Sequence, residues 1–318
     1  MIRKFAYNKI FRTTGMLILF LLLLIFPVSK KYSLEDNYTK NVSNNTKKNE
    51  VFLMDHNNYV ARTFAKFSYS SDVSLANSLI ELLIIDGKLQ DKIPNGFKGL
   101  LPSTTKINSI TINKPYITVD LSSGFYDLKK EDEINAINLI VYNLTTIKDI
   151  KSVFILIDGS ELNYLPKSKI NLNNPLSRKI GVNKINNINS YKSAMATTVY
   201  YINKNNLGYY YVPVTIIENN EKDKIKVIID ELTSSNTYET NLMSFLNYNV
   251  KLLNYEMNDD ILTLNFNDYI LNNLDKNDIL EEVIYSICLS IRDNYDVSKV
   301  IFNVNGKEIT KSVIKNIE

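Results

Sequence analysis

The chain writes much of its pattern twice. Laid over one another without a gap, Lys106–Phe125 (KINSITINKPYITVDLSSGF) and Lys251–Ile270 (KLLNYEMNDDILTLNFNDYI) match Lys106 with Lys251, Ile107 with Leu252, Ile112 with Met257, Thr118 with Thr263 and Val119 with Leu264. After a shift of two residues the agreement resumes. Val153–Gly159 (VFILIDG) falls on Val300–Gly306 (VIFNVNG), and helix-like stretches precede them at Ile134–Ile147 and Leu280–Ile291. The offset, about 145 residues, is the size of a domain and too long for one unit of a solenoid. The sequence therefore reads as a duplicated domain. Most positions kept in both copies are apolar, which points to a shared fold before a shared catalytic site.

The expected order in each copy is β-β-α-β-β-α-β, an α+β arrangement of a mixed sheet with helices on one face. The first copy spans 51–162. Tyr59–Ser70 holds β-formers, and Val73–Ile85 has helical spacing. A hairpin of Ile107–Ile112 and Tyr116–Leu121 turns at Asn113-Lys114-Pro115. The helix Ile134–Ile147 places Ile134, Ile137, Val141 and Leu144 on one face, and Val153–Ile157 closes the sheet. The second copy, 197–318, begins with Thr197–Ile202, turns near Asn205-Asn206-Leu207-Gly208 and continues through Tyr209–Ile217. A helix near Lys222–Leu232 follows, then the hairpin of Leu252–Met257 and Ile261–Phe266 over Asn258-Asp259-Asp260. The next helix is expected to be capped by Asp278 and Glu281, and Val300–Val304 ends the sheet. Residues 163–196, with Pro166, Pro175 and no sustained pattern, read as an interdomain linker.

Ahead of the copies, residues 1–32 read as a membrane-targeting segment. Arg3, Lys4, Lys9 and Arg12 precede the apolar run Met16–Val28, and Lys30 and Lys31 follow. A basic flank before an apolar run keeps the positive end in the cytoplasm. As a helix the thirteen-residue run rises about 20 Å against roughly 30 Å of hydrocarbon. Counting 13–29 and letting Arg12 and Lys30 snorkel closes the gap. Phe26-Pro27-Val28-Ser29 is a poor cleavage site, so an anchor is favoured over a removed signal peptide. No cysteine lies at the end of the run, which excludes a lipid-modified cysteine there. In either case the body is expected outside the cytoplasm. The polar stretch 33–50 reads as a tether.

Charge and cysteine usage narrow the function. A net charge of +3 with interleaved signs gives no basic face for nucleic acid. The single cysteine, Cys288, forbids an intramolecular disulfide and a multi-cysteine zinc site. It lies on the apolar stripe Leu280, Ile284, Ile287, Ile291, opposite Val141 of the first copy, and reads as a small buried hydrophobe. His56 is the only histidine, in a turn-like Asp55-His56-Asn57-Asn58, so neither a triad nor a multi-histidine metal site can be assembled.

The acids Asp127, Glu131, Asp132 and Glu133 precede one helix, and Asp278, Glu281 and Glu282 precede its counterpart. Both sets suit a helix N-terminus better than an acid–base pair. Asp158-Gly159 and Asn305-Gly306 are hairpin dipeptides. Ser122 and Ser123 follow Asp120 past a strand with no nucleophile elbow around them, and the second copy has Asn265 and Asn267 there. No catalytic, cofactor-binding or metal-ligating residue is assigned. Tyr209, Tyr210 and Tyr211 are the least ordinary local feature. Alternation sends Tyr210 to one face and Tyr209 and Tyr211 to the other. An exposed aromatic pair on an outer strand would suit a protein interface; a tyrosine-rich strand partly covering a sheet fits the pattern equally.

Three stretches per copy carry a resemblance. They are the hairpin ending Ile117-Thr118-Val119-Asp120-Leu121-Ser122 (Leu262-Thr263-Leu264-Asn265-Phe266-Asn267 in the second copy), the amphipathic helix, and Val153–Gly159 with its partner Val300–Gly306. In these the chain resembles the GerM-domain family of spore-forming bacteria. The resemblance implies a non-enzymatic, extracytoplasmic, membrane-tethered protein that helps assemble the complex between mother cell and forespore. It also implies domains similar to ring-building folds of secretion systems. Implied partners are other envelope proteins of sporulation and the membrane through 13–29; peptidoglycan contact and a homo-oligomer stay open. The family's anchoring cysteine is missing here, and Asn265 and Asn305 replace acids. Two rival readings remain: a cell-wall hydrolase, which needs a metal site or convergent acids, and a glycan-binding module, which needs an exposed aromatic platform in a groove.

Overall fold

The computed structural model describes residues 48–188, 194–219, 223–234, 241–273 and 277–313. The first copy opens with the hairpin of β1 (Lys48–Asp55) and β2 (Val60–Lys66). Asp55 shapes its turn: Oδ1 accepts from Asn57 N and Tyr59 N, and Asn58 takes a φ of 63°. Helix α1 (Asp72–Glu81) starts with a capping box between Ser71 and Ser74. It stops four residues short of the apolar run that predicts it, because Leu83–Ile85 bond to Leu100 and Leu101 instead. β3 (Phe97–Lys98) then pairs with β1.

A four-stranded sheet follows, built from β4 (Ile107–Asn113), β5 (Tyr116–Leu121), β6 (Ser152–Ile157) and β7 (Ser160–Glu161). Its outer pairs are antiparallel. The central β5–β6 pair is parallel and is connected through α2 (Glu133–Leu144). Alternate residues of β5 and β6, among them Ile117, Val119, Val153 and Ile155, are fully buried, as one covered sheet face requires.

After β8 (Ile185–Asn187) the second copy repeats the design. β9 (Ala194–Asn205) and β10 (Gly208–Asn219) form the hairpin, and α3 (Lys224–Thr233) follows, capped by Asp223. β11 (Leu252–Asn258), β12 (Ile261–Phe266), α4 (Glu281–Asn294), β13 (Lys299–Val304) and β14 (Lys307–Val313) complete it, in the sheet order β11-β12-β13-β14. The copying reaches fine detail. The register slips between Ile107 and Ser109 in one sheet and between Leu252 and Asn254 in the other. Both last hairpins turn with two positive φ values, 47° and 77° at Asp158-Gly159, 48° and 83° at Asn305-Gly306. Such turns match the twist of the strands they join.

The two copies share a sheet. Its order is β3-β1-β2-β10-β9, with β2 and β10 meeting antiparallel at Arg62 and Tyr211. Farther along the same edge of β10 stands Pro213, which has no N–H to give a neighbouring strand. Asn183 bridges that interval, accepting from Val60 N and donating to Val60 O and Pro213 O. Val182 O then accepts from Thr215 N, and β8 pairs parallel with Ile216–Glu218. β10 is therefore an interior strand, and residues expected as linker furnish β8 and the buried Leu165, Leu172, Leu176 and Val182. The buried apolar side chains of both copies form one continuous core.

Besides α1, other boundaries differ from expectation, α2 ending at Leu144 instead of Ile147 among them. β1 begins at Lys48, three residues inside the stretch read as tether. Asp278 does not cap α4, whose N-cap is Leu280 without a side-chain bond; Asp278 bridges to Asn273 instead. The apolar segment 13–29 lies outside the described residues. Among those described, no helix is long and apolar enough to cross a membrane.

Candidate functional site

Polar positions matched between the copies hold backbone. Asn143 of α2 clamps β1, its Oδ1 accepting from Phe52 N at 3.0 Å and its Nδ2 donating to Phe52 O at 2.7 Å. At the counterpart position on α4, Ser290 Oγ accepts from Tyr200 N of β9 at 2.8 Å. Asp120 accepts from Gly159 N, and Asn265 accepts from Gly306 N. Ser122 accepts from Lys106 N, and Asn267 accepts from Lys251 N. An amide oxygen serves this turn as a carboxylate does, so the exchange of Asp120 for Asn265 loses no hydrogen bond. Ser122 and Ser123 are turn residues; the N–H of Ser123 bonds Asp158 Oδ2.

The acids before α2 do not converge. Asp127 accepts from Thr104 Oγ1, Glu131 is exposed, and Asp132 precedes the first helical turn. Glu133 is wholly buried, receiving the N–H groups of Lys167 and Ser168 at 2.7 Å each. Burial pushes its carboxyl up, but those hydrogen bonds outweigh it and hold the pKa below its usual value. His56 is exposed in its turn, and Cys288 is buried. Among the described residues no group of three or more His, Cys, Asp and Glu comes together.

The concentrated chemistry lies where the copies meet. Glu50 of β1 binds Arg62 Nε at 2.8 Å and takes a two-pronged contact from Arg292, Nη2 at 2.8 Å and Nη1 at 3.2 Å. Arg178, on the segment between the copies, donates to Asp293 Oδ1 of α4 at 2.6 Å. It also reaches Thr145 Oγ1 and Tyr142 O at the C-terminal end of α2, where a cation is favoured. Its guanidinium lies over the rings of Phe52 and Tyr142, 5.1 and 4.8 Å from their centroids. Tyr200 OH donates to Asp293 Oδ2 at 2.7 Å. Burial alone would raise the Glu50 carboxyl; Arg292 and Arg62 overcome it and hold the pKa far below the ordinary carboxylate range. Burial and then the Asp293 charge push the Tyr200 phenol well above its usual value. Three guanidiniums and two carboxylates thus form one largely buried lattice, stable only while each charge keeps its partners.

Sequence periodicity gave no hint of this lattice, since Glu50 fell in the tether and Arg178 in the linker. A compositional signal was present. The chain has five arginines: Arg3 and Arg12 flank the apolar run, and the other three, Arg62, Arg178 and Arg292, all meet here. Everywhere else lysine supplies the positive charge. A guanidinium makes several fixed hydrogen bonds and stacks on rings, which an ammonium does not.

The tyrosine run divides three ways. Tyr210 is 5% exposed and donates to Asp55 Oδ2 at 2.8 Å, an oxygen also reached by Asn203 Nδ2. Burial, and then that hydrogen bond, raise its phenol pKa. Tyr211 is half-buried against Tyr285. Of the two readings, the exposed pair on an outer strand is not formed, because β10 is interior and of the three only Tyr209, 48% exposed, faces solvent.

A family model described as "Germane: Sporulation and spore germination" matches residues 38–163 and 198–310, one block on each copy. The chain belongs to the Germane family. Within it, the spore germination protein GerM of Bacillus subtilis (strain 168) is 34% identical over 264 residues, which cover 81% of this chain and 71% of that protein. A solved structure of the tandem GerMN domains of the sporulation protein GerM from Bacillus subtilis superposes with a TM-score of 0.75 at 33% identity, covering 82% of this chain and 92% of that one. Arg178, Asn183 and β8 fall in the interval between the two family blocks.

Proposed function

We propose that this protein is a non-enzymatic scaffold of the sporulation and germination envelope machinery. Residues 13–29 anchor it, its body lies outside the cytoplasm, and it aids assembly of the complex joining mother cell and forespore. The observation that supports this most is the use of its polar groups. Matched ones tie backbone to backbone, and unmatched ones weld two domains into a single body. Such a body suits the holding of partners at a fixed distance. Partner contacts then fall on surfaces outside the weld, among them the open edges of the two four-stranded sheets.

Crosslinking and affinity capture from sporulating cells, with the N-terminal segment intact, tests the reading. Enrichment of integral proteins of the envelope complex is expected, with loss of their assembly when the chain is deleted. Unchanged assembly in the deletion, or peptidoglycan cleavage by the purified chain, would sink it.

A further inference from the structure

We infer that the solvent face of the first four-stranded sheet binds the same face of a second copy of this chain, the two sheets stacked with their strands antiparallel. Alternation along β5 and β6 sends Ile117, Val119, Val153 and Ile155 into the core and leaves Tyr116, Thr118, Phe154 and Leu156 on the opposite face. The register of β4 places Thr111 beside Thr118 there. Tyr116 is 44% exposed, and its ring centroid lies 5.8 Å from that of Phe154. The middle of this face therefore carries two rings, an aliphatic chain and two hydroxyls, and none of these residues is charged. A parallel strand pair is ordinarily covered on both faces. In β5 and β6 full burial falls on one side only.

The second copy indicates that the fold does not require this surface. At the matched positions it has Glu256 for Thr111, Ile261 for Tyr116, Ile301 for Phe154 and Asn303 for Leu156, and Lys299 stands where the first copy has Ser152. Rings and a leucine face solvent in one copy only, and the same area of the other copy is charged.

Charge selects the occupant. Because β5 and β6 run parallel, one end of the face collects the residues just before them, Lys114 and Lys151. The other end collects Asp120, Asp158 and, from β7, Glu161. The lysines pair with Asp72, Asp149 and Asp296 through solvent-exposed contacts, which exchange partners at little cost. Asp120 and Asp158 receive neutral donors: Gly159 N on the first, Asn108 Nδ2 and Ser123 N on the second. A two-fold axis through the centre of the face sets each acidic end against a lysine end; parallel stacking would set acid on acid. The surface thus complements itself in one orientation, as an isologous contact must. Aligned sheets pack about 10 Å apart and within about 30°, which this orientation satisfies. Strands of six residues side by side give a face of about 400 Å², roughly half of a standard partner's share, so the association is weak and reversible. The inference rests on this face alone and is independent of the scaffold reading.

The test is sedimentation and crosslinking of the full chain in detergent micelles at up to about 200 μM. A concentration-dependent dimer is expected. Thr118→Cys, at the centre of the face, should give a covalent dimer with a bismaleimide spanning about 10 Å. Thr263→Cys, the matched site of the second copy, should not, and Cys288 is buried. Leu156→Asn, the residue type of the second copy, should weaken the dimer about tenfold with an unchanged unfolding midpoint. Glu161→Lys should weaken it as well, and adding Lys151→Glu should restore it. A chain that stays monomeric, equal crosslinking at the two cysteine sites, or a dimer indifferent to Leu156→Asn and Glu161→Lys, as pairing through 13–29 would give, would each overturn the proposal. Failure of the charge exchange to restore the dimer would overturn the antiparallel orientation.

Discussion

In the first copy Asn143 holds β1 at Phe52, and in the second Ser290 holds β9 at Tyr200. Two and three residues beyond those clamps the copies part. Thr145 and Thr146 follow the last residue of α2, while Arg292 and Asp293 lie in the last turn of α4 and enter the charge lattice. The clamps serve each domain alone, because an open strand edge must be satisfied in any copy. The lattice has meaning only where two copies touch. The residues that build the seam therefore have no counterpart role in the other copy, whereas the clamps answer a need each domain has by itself.

The most severe way to break this comparison is to remove one partner from the seam. Asp293→Ala leaves Arg178 without its carboxylate and should cost about 3–5 kcal/mol in denaturant unfolding. A loss under about 1 kcal/mol would show the lattice to be ornamental. Glu50→Gln should act in the same direction and carry a pH signature. The folded pKa of Glu50 lies below its unfolded value of 4.5, so its stabilisation is full above that pH and drains as pH falls beneath it. Wild-type stability should therefore drop more steeply than that of the variant below pH 4.5.

Next in size is the pair of clamps. Asn143→Ala exposes both Phe52 N and Phe52 O to burial without partners and should cost about 2–4 kcal/mol; Ser290→Ala strands one N–H and should cost about 1–2 kcal/mol. Equal losses would contradict the different bonding of the two clamps. Tyr211→Ala, half-buried at the seam, should destabilise by about 2 kcal/mol, and Tyr209→Ala by no more than about 0.5 kcal/mol. The smallest effect is expected from Asp120→Asn, which gives the first turn the acceptor of the second. Its unfolding midpoint should match wild type within about 0.5 kcal/mol.

The duplication and most of the strand-and-helix order were legible because periodicity records which face is buried, and Val119 and Leu264 or Val141 and Cys288 face the same kind of interior. β7 and β14, which extend each sheet past the strand expected to end it, and the separate sheet shared by the hairpins were not legible. β1 was harder to delimit. Its last residues, Val51–Asp55, are buried on both faces, so alternation is lost. The seam was invisible for another reason. Glu50, Arg178 and Asp293 are far apart in sequence, and a long-range ion pair leaves no local period. The tyrosine run left two readings open, an exposed pair or a strand partly covering a sheet, because a strand pattern states which side a residue faces, not whether another strand lies alongside: Tyr211 has β2 as its neighbour.

β1 enters the sheet directly at Lys48, and its ladder with β2 leads to β10. A pull applied at Lys48 along the axis of β1 would load a row of hydrogen bonds side by side instead of unzipping them singly. Tension arriving from that end would be passed to both halves together, making this molecule a stiff mechanical coupling and not a string of beads.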